Sequence, residues 1–182
     1  MFEDQQLCLT AFEISEYWSR VGKLVEGEVI GAPSMHHLPP WYELCSELEW
    51  TYHKVGGGYF SNENFGFRGV YRIVALASEE DLWQPAILNR VCGHDATGTL
   101  YIGEAGNISA RLNQLRRTAQ NRRERSHGAM QMLRSITRLK YPVDKLGVAI
   151  LFTRCFPRIV ERHLLESYII SFGDMPPLNY RL

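Results

Sequence analysis

The chain is short of three things, and each shortage excludes something. Its four cysteines, Cys8, Cys45, Cys92 and Cys155, are scattered through 182 residues with no CxxC pair. That spacing argues against a zinc knuckle and against a disulfide framework, and leaves structural thiols. No apolar run reaches the length of a membrane span, and the first residues do not form a charged-then-apolar leader. The expectation is therefore a cytoplasmic protein with no membrane partner. Basic residues are scarce at the amino-terminal end. Residues 1–66 hold 3 Lys+Arg against 10 Asp+Glu, a balance of −7, so the rest of a chain of zero net charge carries +7.

That positive charge is concentrated. Arg111, Arg116, Arg117, Arg122, Arg123, Arg125, Arg134, Arg138 and Lys140 fall within thirty residues that contain one acid, Glu124. Guanidinium groups bind phosphate oxygens through two parallel hydrogen bonds, so a cluster this rich in arginine suits nucleic acid, with Arg116, Arg117, Arg122, Arg123 and Arg125 as the candidate DNA contacts. A solvated helix face is the blander reading, and it would normally carry more acids.

At 45% hydrophobic residues the chain can build one core of its own. Spacing predicts a short amphipathic helix over residues 10–21, a strand over 24–30 and a second short helix over 41–50. A proline-rich loop over 31–40 holds His36 and His37, which read as surface histidines, and Gly56, Gly57 and Gly58 form a joint with no phosphate-loop signature. Residues 1–67 thus read as an acidic amino-terminal extension of unassigned role. Residues 68–77 read as a buried strand, 78–98 as an inserted connection, and 99–102 as a strand broken by Gly103 and Gly106. Asn107 or Ser109 caps the helix that follows. A second helix is expected over 129–140, ended by Pro142, then a buried strand at Leu146–Phe152 and a last, largely apolar helix over Pro157–Phe172.

Within this frame the stretch 99–112 places Tyr101 at a strand end and Arg111 just inside the next helix, close enough to address one small anion. Pairing of the two strands would bring Tyr71 beside Tyr101. Glu166 lies in the apolar last helix and needs a partner, either Arg162 one turn earlier or a metal ion. Singly, each residue also has a structural role: a cross-strand tyrosine pair, Arg111 with an acid such as Glu104, and His127 as a helix cap.

Gly69-Val70-Tyr71, Tyr101-Ile102-Gly103, the following Asn107-Ile108 pair, Arg111-Leu112, His127, Glu166 and the closing Pro176 to Asn179 occur in the order and settings of the GIY-YIG nuclease family, which the chain resembles over residues 68–179. The resemblance implies an α+β fold with a small three-stranded antiparallel sheet flanked by helices. It further implies a metal-dependent endonuclease that hydrolyses DNA, in which Glu166 holds Mg²⁺ or Mn²⁺, Arg111 binds a phosphate oxygen, and Tyr71 or Tyr101 takes the proton of the attacking water. His127 would assist as proton carrier or phosphate ligand, while Gly69, Gly103 and Asn179 support the site. Two positions depart from the family: Glu104 follows the YIG where the excision-repair branch has lysine, and Leu115 stands where many members have tyrosine or histidine. A free-standing domain with an extension and an inserted loop is most similar to the restriction-endonuclease branch, acting on duplex DNA as a homodimer or in phage or mobile-element conflict. A structure-specific repair nuclease and a catalytically impaired DNA-binding or partner-binding protein are the alternatives.

Overall fold

The strand Gly69–Ala75, GVYRIVA, is buried at every position, and the rest of the fold is arranged on its two faces and two edges. The computed structural model describes residues 40–56, 67–81, 84–121, 123–135, 141–153 and 157–180. The predicted helix over 10–21, the strand over 24–30, the loop with His36 and His37, Gly57, Gly58, Arg122 and the end of the 129–140 helix lie outside the described residues. In chain order the elements are α1 (Trp41–Glu47), β1 (Thr51–Lys54), β2 (Gly69–Ala75), β3 (Leu88–Arg90), β4 (Gly93–Asp95), β5 (Thr99–Ala105), α2 (Ile108–Gln120), α3 (Gly128–Ser135), a single 3₁₀ turn (Val143–Lys145), β6 (Leu146–Phe152) and α4 (Pro157–Phe172).

The architecture is α+β, with an antiparallel sheet covered by helices. The sheet differs from expectation in having four strands, in the order β1-β6-β2-β5. The extra strand is Thr51–Lys54, which pairs antiparallel with β6 from Thr51 opposite Ile150 to Lys54 opposite Gly147. It is not legible in the sequence because TYHK has no apolar alternation, its four residues being at best partly buried. The insertion at 78–98 contains a separate two-stranded hairpin, β3 with β4.

One face of the sheet presents Tyr71, Ile73, Leu146, Val148 and Ile150 to Ile108, Leu112 and Leu115 of α2 and Met130 and Leu133 of α3. The other presents Val70, Val74, Ile102, Ala149 and Leu151 to Trp41 and Leu44 of α1 and Val160, Leu164, Leu165 and Tyr168 of α4. Helices on both faces explain why β2 and β6 read as continuous apolar runs rather than alternating ones. Among the described residues, no helix is long and apolar enough to cross a membrane.

A charged side chain interrupts the second face. Arg72 is 1% exposed and its guanidinium lies 4.4 Å from the ring centre of Trp50, 5.4 Å from Trp41 and 6.0 Å from Tyr52. It donates to the Tyr52 hydroxyl at 2.9 Å, to Cys45 Sγ at 2.8 Å and to Thr99 Oγ1 at 3.3 Å. Thr99 leads to the compensating charge. The buried Asp95 accepts from the Thr97 amide (2.7 Å) and hydroxyl (2.6 Å), the Thr99 amide (3.0 Å) and the Tyr168 hydroxyl (3.0 Å). Trp41 Nε1 closes the circuit by donating to Thr97 Oγ1 at 2.8 Å. Burial pushes the Cys45 thiol up to about 11, against the pull of Arg72, so the sulfur remains a thiol.

This cluster joins α1, β1, β2, the hairpin and α4 through charge-assisted bonds in a dry interior, where removing one member leaves the others unsatisfied. Arg72→Ala and Asp95→Ala are each expected to lower unfolding free energy by about 3–5 kcal/mol, read as a shift in urea midpoint. A shift within error for both would contradict the role given to the cluster.

Candidate active site

Two glycines let the site form. A side chain at Gly103 would meet the Tyr101 ring, with Cε1 at 2.4 Å and the hydroxyl at 2.8 Å, so the tyrosine lies folded over its own strand. At Gly69 a Cβ would come within 2.5 Å of the Leu151 carbonyl oxygen and 3.2 Å of Ile108 Cγ1. That close approach seats the start of α2 against β2. The Y-x-G and G-x-Y spacings thus have a steric cause in this chain.

The sheet register places Tyr71 opposite Gly103 and Ile73 opposite Tyr101. The two tyrosines are therefore diagonal rather than directly paired, with ring centres 5.9 Å apart. His127 completes a triangle of rings, 5.9 Å from Tyr71 and 5.8 Å from Tyr101. Arg111 arrives from the first turn of α2, a helix whose N-cap is Asn107, with Oδ1 accepting from the Ala110 amide at 2.9 Å. Its Nε donates to the Tyr71 hydroxyl at 3.1 Å, and Nη1 makes long contacts to Gln114 Oε1 (3.4 Å) and the Ser126 carbonyl (3.5 Å). The Tyr71 hydroxyl is also 2.8 Å from His127 Nε2. Three residues from three separate segments thus meet at one phenol oxygen, with the Tyr101 ring beside them. Leu115, one turn beyond Arg111, is fully buried in the core. The polar group beside Tyr71 comes instead from His127, at the start of α3.

Environment fixes the charge states. Burial raises the Tyr71 phenol well above its ordinary value, Tyr101 adds to this, and Arg111 opposes it. Tyr101 is raised in the same way, with Arg111 and a hydrogen bond from Tyr71 pulling it back and Glu161 pushing it up. Both phenols therefore hold their protons in the free protein. Burial works against the Arg111 cation, and the two phenol oxygens more than offset it. Burial and then the Arg111 charge press His127 down to about 3. The imidazole is therefore neutral around pH 7.

The carboxylate whose charge reaches this group is Glu161, whereas the sequence singles out Glu166. Glu166 pairs with Arg162 at 2.8 Å, so its partner is the arginine one turn earlier. Glu161, five residues before it, is the acid whose charge acts on both Tyr101 and Arg111. Burial pushes its carboxyl up to about 7, Glu104 adds to the rise, and the Glu104 amide, Arg158 and Arg111 oppose it. A signal for Glu161 exists in the sequence. It heads the stripe Glu161, Leu164, Leu165, Tyr168, whose i, i+3, i+4, i+7 spacing marks the buried face of the helix, whereas Glu166 is about 140° away.

Glu161 and Glu104 are also the groups that can hold a divalent ion. They supply oxygen donors only, which suits Mg²⁺ or Mn²⁺, and a cation between them would relieve the repulsion that raises Glu161. Among the described residues, no group of three or more His, Cys, Asp or Glu side chains forms a larger metal site, so water would complete the coordination. Asn179 holds the end of the chain to the site strand, with its amide accepting from the Ile102 N–H at 2.9 Å and donating to the Ile102 carbonyl at 2.8 Å.

Of the candidate DNA contacts, Arg117, Arg123 and Arg125 are exposed on α2 and the α2–α3 turn, Arg116 is half-buried, and Arg122 lies outside the described residues. Arg134 is engaged elsewhere, donating to the Ala119 and Asn121 carbonyls at 2.6 and 2.8 Å and so capping the end of α2. Comparisons with known proteins add no relative, since no family model, curated protein or solved structure matches the chain.

The two shifted groups pull stability in opposite directions with pH. Folding favours neutral His127, so its contribution is present above its ordinary value of 6.5 and is lost as pH falls toward 3. Folding favours protonated Glu161, so its contribution is present below 4.5 and is lost as pH rises through about 7. Glu161→Gln is therefore expected to raise the urea midpoint above pH 7 relative to the parent, with no gain at pH 4. An equal gain at both pH values would show that Glu161 is not raised.

Proposed function

We propose that this protein is a metal-dependent endonuclease that hydrolyses DNA phosphodiester bonds by the chemistry of the GIY-YIG family it resembles. The observation that carries the reading is the meeting of Tyr71, Tyr101, Arg111 and His127 at one point, with the Glu161 carboxylate acting on the same tyrosine and arginine. Strands β2, β5 and β6 with helices α2, α3 and α4 would be the family's three-stranded core, to which β1 adds a fourth strand.

Hydrolysis of a phosphodiester requires charge relief on the phosphoryl oxygens, an oriented water and a route for its proton. Arg111 is placed to bind a non-bridging oxygen, since its Nη1 contacts to Gln114 and Ser126 are long ones that a phosphate can displace. Tyr101 is the phenol with access to solvent and is therefore the one to meet the attacking water, while the buried Tyr71 hydrogen-bonds to it from behind. A divalent cation held by Glu161 and Glu104 would lower the pKa of bound water and offset charge on the phosphate. This gives Glu104 a use in place of the repulsion expected of it, and transfers the metal role from Glu166 to Glu161. Arg117, Arg123 and Arg125 would follow the flanking backbone. Cutting of duplex DNA by a homodimer, in the manner of the restriction branch, extends the same reading.

A binding module with an impaired site is the second reading, favoured by the raised values of both phenols. Incubation of the purified chain with supercoiled plasmid and Mg²⁺ or Mn²⁺ distinguishes the two. Arg111→Ala and Glu161→Ala are expected to reduce nicking by a factor on the order of 10² or more, whereas Glu166→Ala, which removes an ion pair with the exposed Arg162, stays near the parent level. Cutting that persists in both of the first two variants would reject the site, and loss confined to Glu166→Ala would return the metal role to that residue. Salt-sensitive binding without cutting would establish the binding module.

A further inference from the structure

The hydrogen bonds around Tyr71 carry a directional constraint in addition to bringing the site residues together. His127 is the residue immediately before α3, and its carbonyl accepts the first intrahelical bond, from the Gln131 amide at 3.1 Å. That makes it the N-cap of the helix. Three residues on, the Met130 amide points at His127 Nδ1 from 3.4 Å, in the manner of an N-cap side chain accepting from the first turn. Such a contact needs Nδ1 to be an acceptor, because a proton there would face the amide hydrogen and leave a buried N–H without a partner. In a neutral imidazole the remaining proton then sits on Nε2. Nε2 is 2.8 Å from the Tyr71 oxygen.

The Tyr71 oxygen therefore accepts twice, from His127 Nε2–H and from Arg111 Nε–H at 3.1 Å. With both lone pairs taken, the one remaining direction for the phenol is as a donor, and the phenol beside it is that of Tyr101, whose ring centre lies 5.9 Å away. We infer that His127 is a positioning residue: capped into the Nε2–H tautomer by the first turn of α3, it orients the Tyr71 hydroxyl proton toward Tyr101 and so sets the polarity of the tyrosine pair. The opposite polarity would have Tyr71 donating to His127, leaving Tyr101 without the donor behind it. A helix start thus decides which phenol faces the substrate side as an acceptor. This inference rests on the hydrolytic reading for its consequence in catalysis, though not for the tautomer itself.

Two measurements test it. Long-range ¹H–¹⁵N correlation spectra of the His127 ring at pH 7 are expected to show the Nε2–H tautomer, and the Nδ1–H form would overturn the inference whether or not the protein cuts DNA. His127→Asn keeps an N-cap acceptor for the Met130 amide while its shorter side chain falls short of Tyr71. Its melting temperature is expected to stay near that of the parent, with nicking reduced at least about tenfold. Because His127 acts through Tyr71, adding His127→Asn to Tyr71→Phe is expected to reduce nicking no further. The same tenfold loss in the Tyr71→Phe background would overturn the positioning role. If the parent cuts no DNA under any condition, the hydrolytic reading fails and the ring spectra alone decide the tautomer.

Discussion

The fold turns on a positive charge buried to 1% exposure. Arg72 sits in the middle of a fully buried strand and is linked to the carboxylate of Asp95 through threonine hydroxyls. An ion in an apolar interior costs several kcal/mol unless its environment replaces the hydration it has lost. Here three aromatic faces and three hydrogen-bond acceptors replace it, drawn from α1, β1, β5 and the short chain between α1 and β1. Those pieces cannot dissociate separately without exposing the charge to a half-built cage. The arginine thereby makes the described part of the amino-terminal region a wall of the core, and it holds β2 in place between β5 and β6. Tyr71, the residue before it on the strand, points to the opposite face, so the cage and the candidate site share one piece of backbone.

Much of this is open to reading from the residues. Apart from the β3–β4 hairpin, which reads only as an inserted connection, the order of elements from β2 to α4 follows from apolar periodicity and from the positions of Gly, Pro and Asn. Arg72 is also visible, as a charge in an otherwise apolar strand, yet the sequence does not say where its cage comes from. Trp41, Trp50 and Tyr52 lie well upstream, in a region whose composition reads as an extension. Asp95 lies in a stretch, GHDATG, that reads as a solvent turn and is instead a buried acceptor for four donors. Turn residues and buried polar clusters draw on the same amino acids, so composition does not separate them.

The site shows the same division. Tyr71, Tyr101, Arg111 and His127 are legible because strand, turn and helix spacing bring them together, and the glycines that permit this are residues of the motif itself. The choice between Glu161 and Glu166 is only weakly legible, because α4 is apolar nearly all round and the stripe headed by Glu161 has rivals on other faces. Which of its acids turns inward depends on the face the sheet selects, and that is settled by tertiary packing rather than by local pattern. His127 is readable both as a helix cap and as a site residue, and the structure makes these the same role.

The outward side of β5 carries one more consequence. The Leu100 carbonyl is taken by the Leu178 amide, both backbone groups of Ile102 by the Asn179 side chain, and the Glu104 amide by Glu161. A terminal strand with free amides and carbonyls is a template on which another chain can lay a strand of its own. On this strand the template is already occupied, by a turn and a side-chain amide that imitate a neighbour without extending the sheet. A second copy therefore cannot add a strand at these positions, and a pairing of that kind must use a different edge.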